Sequence, residues 1–366
     1  MKKIVNFCLL GSVLAFVLSL VTANQAAGQA FKPIKLKYSD FHIWGTPQTV
    51  MAKWYLEEVS KRSGGKVTFD YFFATLTKDL ETLPMMRSGA VDISDPPPVF
   101  FPSDLPLLSL MNACRIAREP KGAMESAYKM QWHSGEISNM LNAEMAKQNG
   151  KILIWFPMQY VYITKPKVER LSDLKGLKMR VVGIYEPKVV QKYGIVPVSG
   201  VPSEYYEMLS KGAMDVLVVI WDNVADYKLY EVSKYASFKG GAIVAQPMTI
   251  NLKSWNRLPK EVQAVFEDEG FRKEAFAYFM KVYDDRMEDT KKKMSAGGMT
   301  FSQVDSKEQE NLYDEYIKMT CQIYPQEAAK VGAKEGGLKA LDTWLKLNLG
   351  EDKGLIYQDK RFGITR

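Results

Sequence analysis

Residues 34–41, IKLKYSDF, alternate apolar and polar side chains and predict a strand. HIWGTP then leads into a helix on which Val50, Met51, Trp54, Tyr55 and Val59 share one face, and Ser63–Gly65 stops it. KVTFDYFF (66–73) predicts the next strand, DLETLPMMRSG (79–89) a helix ended by Gly89, and AVDIS (90–94) a third strand. This β-α-β-α-β order is the rhythm of a mostly parallel sheet with covering helices. Prolines 96, 97, 98, 102 and 106 forbid a central strand over 95–106 and predict a stiff, partly buried loop. A helical region resumes at 120–149.

The rhythm then repeats. KILIWF (151–156) and YVYIT (160–164) read as two apolar strands, LKMRVV (177–182) as another, EPKVVQKYG as a short helix and IVPVS as a strand. PSEYYEMLSKG predicts a helix ended by Gly212, and DVLVVI (215–220) a buried strand followed by a loop at Trp221–Asn223. From Pro259 to Ala296 only Gly270 interrupts a helical pattern carried by Val262, Val265, Phe266, Phe276, Phe279, Met280, Tyr283 and Met287. One helix of that span would run about 55 Å, longer than one lobe, and predicts a spine across two. A coiled coil competes with it, against the break in the apolar stripe between Phe266 and Phe276. Two amphipathic helices, about 305–324 and 338–347, close the chain. The expected fold is α/β with two lobes: 31–155 with part of 246–296 in the first, 156–245 with parts of 297–366 in the second.

Composition adds little to this picture except at the N-terminus. Apolar residues make up 46% and charged residues 25% of the 366, the balance of an ordinary globular protein. Lys2 and Lys3 precede an apolar run from Phe7 to Val21, the form of a secretory leader over residues 1–30, with cleavage after Ala30 or, as the rival, Ala23. Its removal takes the net charge from +7 to +5 by loss of the two lysines. Basic residues alternate with acids, which argues against a nucleic-acid partner. Cys114 and Cys321 remain in the mature chain, either as buried thiols or as a pair. Two histidines, His42 and His133, and no H-E-x-x-H, C-x-x-C, G-x-S-x-G or P-loop argue against an enzyme. No cofactor and no metal site is implied by spacing.

One residue breaks the pattern. Arg180 sits inside the apolar strand of DLKGLKMRVVG (173–183). A guanidinium keeps its charge, and burying one unpaired costs several kcal/mol. Either a carboxylate of the chain neutralises it or an anion from outside does.

At this point a family pattern covers roughly residues 34–285. The chain resembles the solute-binding proteins of tripartite ATP-independent periplasmic (TRAP) transporters. The resemblance rests on WYLEEVSKRSGGKVTFDYF, LPMMRSGAVDI, LSDLKGLKMRV, VPSEYYEMLSKGAMDV, YKLYEVSKYAS and INLKSWNRLPKEVQ, in that order. It implies two α/β lobes closing on an acidic ligand, a spine helix, a periplasmic location, and membrane permease subunits as partners. A sensory subunit serving a signalling receptor would share the fold. It also implies that Arg180 takes the ligand carboxylate through a planar fork of donors. The family's further contact, about twenty residues earlier, falls at Tyr160 beside Gln159. Where many members carry a polar run after the aspartate matching Asp215, this chain has VLVV (216–219), and Trp221, Asp222 and Asn223 follow. Trp44, His42 and Tyr185 complete the expected ligand contacts, Trp44 and His42 because they close the first strand where ligands of such sheets bind. The expected cargo is a monocarboxylate with an apolar or aromatic body; a small 2-oxo or 2-hydroxy acid and a sugar acid are the alternatives, with a bridging cation as a further one.

Overall fold

The computed structural model describes residues 33–112, 116–117, 119–237, 243–302 and 304–357. The expected leader, 1–30, and Cys114 lie outside them; Cys321 is buried in the core. β1 (Ile34–Asp40), α1 (Pro47–Arg62), β2 (Val67–Phe73), α2 (Thr82–Ser88) and β3 (Ile93–Ser94) form the first α/β unit. β1 lies between β2 and β3, parallel to both. A 3-10 turn at Pro98–Phe100 is the regular part of the proline-rich loop. α3 (Pro120–Trp132) and α4 (Glu136–Lys147) follow, parted at Gly135, whose φ is +52°.

β4 (Gly150–Thr164) is one strand of 15 residues where two were expected. Over 150–159 it pairs with β9 (Ile243–Asn251), and over 160–164 with β7 (Val216–Ile220). The gap between the two expected strands holds Pro157, and proline cannot donate to a ladder. Among the described residues that stretch pairs on one side only, so the missing N–H is tolerated. β5 (Lys178–Arg180), α5 (Glu186–Lys192), β6 (Val196–Val198) and α6 (Tyr205–Ser210) build the second half, with the order β7-β5-β6 parallel. The predicted loop after β7 is instead a helix, α7 (Trp221–Asp226). β8 (Tyr235–Ser237) pairs with the end of β4. All these strands belong to one sheet that runs through both halves, with β4 and β9 crossing near its middle.

α8 (Leu252–Asn256) and α9 (Lys260–Glu267) precede the spine, α10 (Glu269–Ala296). The spine begins ten residues later than Pro259. Asp268 is extended (ψ 120°) and its carboxylate accepts from Phe271 N at 2.6 Å, which ends one helix and starts the next. Its 28 residues span about 42 Å, still enough to serve both halves. Toward its N-terminus Phe271 stacks on Tyr55 at 5.0 Å, and Tyr278 on Trp54 at 4.0 Å. Further along, Tyr283 and Met294 enter a second core with Val161, Leu217, Val219 and Trp221. β10 (Thr300–Phe301), α11 (Ser306–Lys330), α12 (Lys334–Leu349) and α13 (Glu351–Ile356) complete the chain. α11 continues past Pro325, where a stop was expected. Pro325 and Ala328 are buried, and Ala328 lies against Gly337 of α12, so packing outweighs the one lost hydrogen bond.

Because Asp268 caps the spine, Asp268→Ala should lower stability by about 1 kcal/mol, read by denaturant unfolding, with ligand affinity unchanged.

Candidate functional site

β1 of the first half and the mutually parallel β5 and β7 of the second, which run opposite to it, bring their carboxyl ends to a common cleft, the place where such sheets receive ligands. The first half contributes Phe41 and His42 after β1, Pro97 and Phe100 from the proline-rich loop, Met158 of β4 and Gln246 of β9. The second contributes Tyr160, Arg180, Pro202, Tyr205, Val219, Ile220 and Asn223. About 320 Å³ of space between atoms, part of it open to solvent, lies among these residues.

Arg180 ends β5 and is 3% exposed. One of its terminal nitrogens donates to the Val218 carbonyl at 2.9 Å. The guanidinium lies 5.3 Å from the centre of the Tyr205 ring, a cation–π contact. Its Nε is buried and has no partner among the described residues, and no carboxylate of those residues lies in ion-pairing range. Of the two explanations for the buried charge, the internal salt bridge is the one the geometry does not supply. Asp79, half-buried at the turn after β2, is near enough to feel both His42 and Arg180. Burial still moves its carboxyl above the usual range.

His42 faces Arg180's half from the other wall. Its Nδ1 meets Asp40 Oδ1 at 2.8 Å, and its backbone N–H donates to the same oxygen at 2.9 Å. Tyr38 bridges Asp40 and Asp95, at 3.1 and 2.5 Å. The Tyr38 hydroxyl donates to Asp95 Oδ2 and lies within reach of Asp40 Oδ2, while burial, reinforced by Asp40, pushes the Asp95 carboxyl well up. Burial opposes charge on His42, but Asp40, with smaller help from Asp222 and Asp79, raises its pKa overall. Nδ1 therefore carries a proton toward Asp40. Nε2 is buried without a partner among the described residues and belongs to a cleft-lining side chain.

The other expected contacts divide by the geometry of their elements. Tyr160 lines the cleft, two residues from Met158 on the same face of β4. Gln159 lies between them and points the opposite way, accepting from Tyr283 of the spine at 2.6 Å. Trp221 is buried against Tyr283, with ring centres 5.4 Å apart, and packs in the second core rather than the cleft. Trp44 is 55% exposed and lies on Phe73 at 5.0 Å, under Lys53. Tyr185 is buried in the main core near Tyr324. Asp222 is fully buried behind the cleft in the first turn of α7, and neither of its oxygens has a partner among the described residues. Burial, then Asp226, lift its pKa to about 7 against the pull of His42 and Arg286. Asn223, at the strand end expected to face the cleft, lines it, whereas Gln246, Tyr205 and Phe100 were not anticipated. A lone glutamine inside the apolar IVAQPMTI was the one available signal for Gln246.

Residues 39–327 match the DctP family model, described as bacterial extracellular solute-binding protein, family 7. A C4-dicarboxylate-binding periplasmic protein, DctP, of Rhodobacter capsulatus is 26% identical over 260 residues, 69% of this chain and 74% of that protein. A monocarboxylate 2-oxoacid-binding periplasmic protein of a Nostoc species is 22% identical over 283 residues, 73% of each chain. Among solved structures, a TRAP periplasmic solute-binding protein from Desulfovibrio salexigens with bound orotic acid superposes with a TM-score of 0.75. It is 14% identical and covers 86% of this chain and 99% of its own. A TRAP solute-binding protein from a marine metagenome, specific for pyroglutamate, gives 0.71 at 18% identity over 86% and 100%.

The raised Asp222 pKa carries a sign. An unfolded aspartate ionises near pH 4, the folded one at about 7. Across that window the folded state holds the extra proton, so this group's contribution makes stability fall as pH rises and level off above 7. Asp222→Asn should therefore stabilise the protein at pH 8 by on the order of 2–4 kcal/mol relative to its effect at pH 4, measured by urea unfolding at both values.

Proposed function

This chain belongs to family 7 of the bacterial extracellular solute-binding proteins and is a receptor of the TRAP type, and we propose that its cargo is a small organic carboxylate held by Arg180. What supports the reading is the state of that one side chain: a guanidinium 3% exposed in the cleft wall, with a bare Nε and no acid of the described residues paired to it. Charge-assisted bonds to a carboxylate contribute about 1.5–3 kcal/mol each, and the arginine fork can make two at once. His42, on the opposite wall, offers Nε2 to the same anion when protonated.

Closure follows from electrostatics. In an open form water solvates Arg180 and His42. Closing removes that water and becomes favourable when an anion replaces it, so the ligand selects the closed state by differential affinity. Gly183, three residues past Arg180, has a φ of +65°, and a Cβ there would lie 2.7 Å from Val99 Cγ2 of the proline-rich loop. The second half thus comes within contact of the first at a point where only a hydrogen fits. Phe41, Phe100, Tyr160 and Tyr205 give the cleft flat apolar walls suited to a compact ring or short chain.

The receptor acts by binding and release, handing its cargo to membrane permease subunits, and works in the periplasm once residues 1–30 are removed. No helix of the described residues is long and apolar enough to cross a membrane.

Thermal-shift screening of a carboxylate library, followed by calorimetry, tests this. Binding raises apparent stability by mass action. Arg180→Ala should remain folded and lose affinity at least hundredfold, and Arg180→Lys should recover only part of it, because an ammonium lacks the planar fork. A carboxylate that binds Arg180→Ala as tightly as wild type would overturn the assignment. Gly183→Ala should weaken binding about tenfold and leave the liganded protein with a larger radius of gyration in solution scattering, since the added methyl strains the backbone and blocks closure.

A further inference from the structure

Four buried polar atoms of cleft-lining residues have no partner among the described residues: Arg180 Nε, His42 Nε2, Gln246 Oε1 and Asn223 Oδ1. The first is a donor, and the second becomes one when protonated; both suit a carboxylate. The last two are acceptors, and a carboxylate cannot satisfy them. We propose that this receptor selects acids that carry a hydrogen-bond donor, a hydroxyl or ring N–H, beside the carboxylate, and that Gln246 and Asn223 read that donor. The inference rests on the carboxylate reading of Arg180 and narrows it.

Gln246 is the firmer of the two because its orientation is fixed. Its Nε2 donates to the Asp95 carbonyl at 2.7 Å, so the amide cannot turn over without setting its oxygen against another oxygen. Oε1 is thereby committed as an acceptor in a side chain 1% exposed. It belongs to β9, one of the two strands crossing between the halves, and closure does not carry it away from the cleft. Asn223 is 2% exposed in the first turn of α7, on the far half. An acid with only an apolar body would leave both acceptors dry, and unpaired buried acceptors are costly. Sites built on such groups reject the analogue that lacks the donor much more strongly than apolar pockets distinguish a methylene.

The test uses purified protein and pairs of acids that differ only in the donor. Mandelate is compared with phenylacetate, lactate with propanoate, and pyroglutamate with 3-oxocyclopentanecarboxylate, by thermal shift and then calorimetry. In every pair that binds, the donor-bearing acid should bind at least tenfold more tightly. In Gln246→Met and Asn223→Leu that ratio should shrink to about threefold or less while the donor-free acid still binds; a merely structural role would weaken both members equally. If a variant fails to fold, the wild-type ratios decide alone. Donor-free acids binding as tightly as their partners, with Arg180→Ala abolishing both, would overturn this inference and leave the carboxylate reading standing. A panel in which no acid binds, or in which binding survives Arg180→Ala, would overturn both.

Discussion

A guanidinium that is buried, permanently charged and unmatched by a carboxylate among the described residues sets the terms for the rest of this molecule. Its desolvation is unfavourable, yet its chain neighbours Met179 and Val182 are buried with it. The Val218 carbonyl and the Tyr205 face meet part of its demand, leaving a residual that an anion completes. The first half answers with His42, held by a chain of hydrogen bonds running back through Asp40 and Tyr38 to Asp95. Arg180 on one wall and His42, when protonated, on the other thus face the gap, which opposes closure on an empty cleft and favours it around an acid.

Mechanical continuity makes that balance usable. β4 and β9 run through the sheet between the halves, and α10 lies along both, anchored by stacked rings at one end and by Tyr283 at the middle. Gln159, on the outward face of β4, ties the crossing strand to the spine. Residues one position apart on that strand therefore have separate duties: Met158 and Tyr160 face the cargo space, and Gln159 fixes the frame behind it.

Much of this was legible in the sequence, and the misses have physical causes. Alternation, glycine stops and the proline-rich break marked the first unit well, because each is a local property of the chain. Arg180 stood out for a local reason too: a charge in an apolar strand. The join of two strands at Pro157 was hidden, since tolerance of proline depends on which edge of β4 is paired. The start of the spine was misplaced because a single extended residue, Asp268, breaks an otherwise helical pattern. Among site residues, proximity in sequence to the strand ends suggested Trp44, Trp221 and Tyr185. The fold sends those side chains to the surface or into the cores. Gln246 and Tyr205 are distant in sequence from Arg180 and reach it only through the sheet order and α6. No pattern along the chain brings such residues together.

The shared crossing strands also bear on how receptors of this shape can diversify. Neither half could be excised without cutting β4 and leaving a row of unpaired backbone donors and acceptors, an invitation to aggregation. Exchange of whole modules between relatives is thereby disfavoured as a route to new specificity. What remains open is residue-by-residue replacement at the strand ends, where a side chain can change while the common scaffold stays whole.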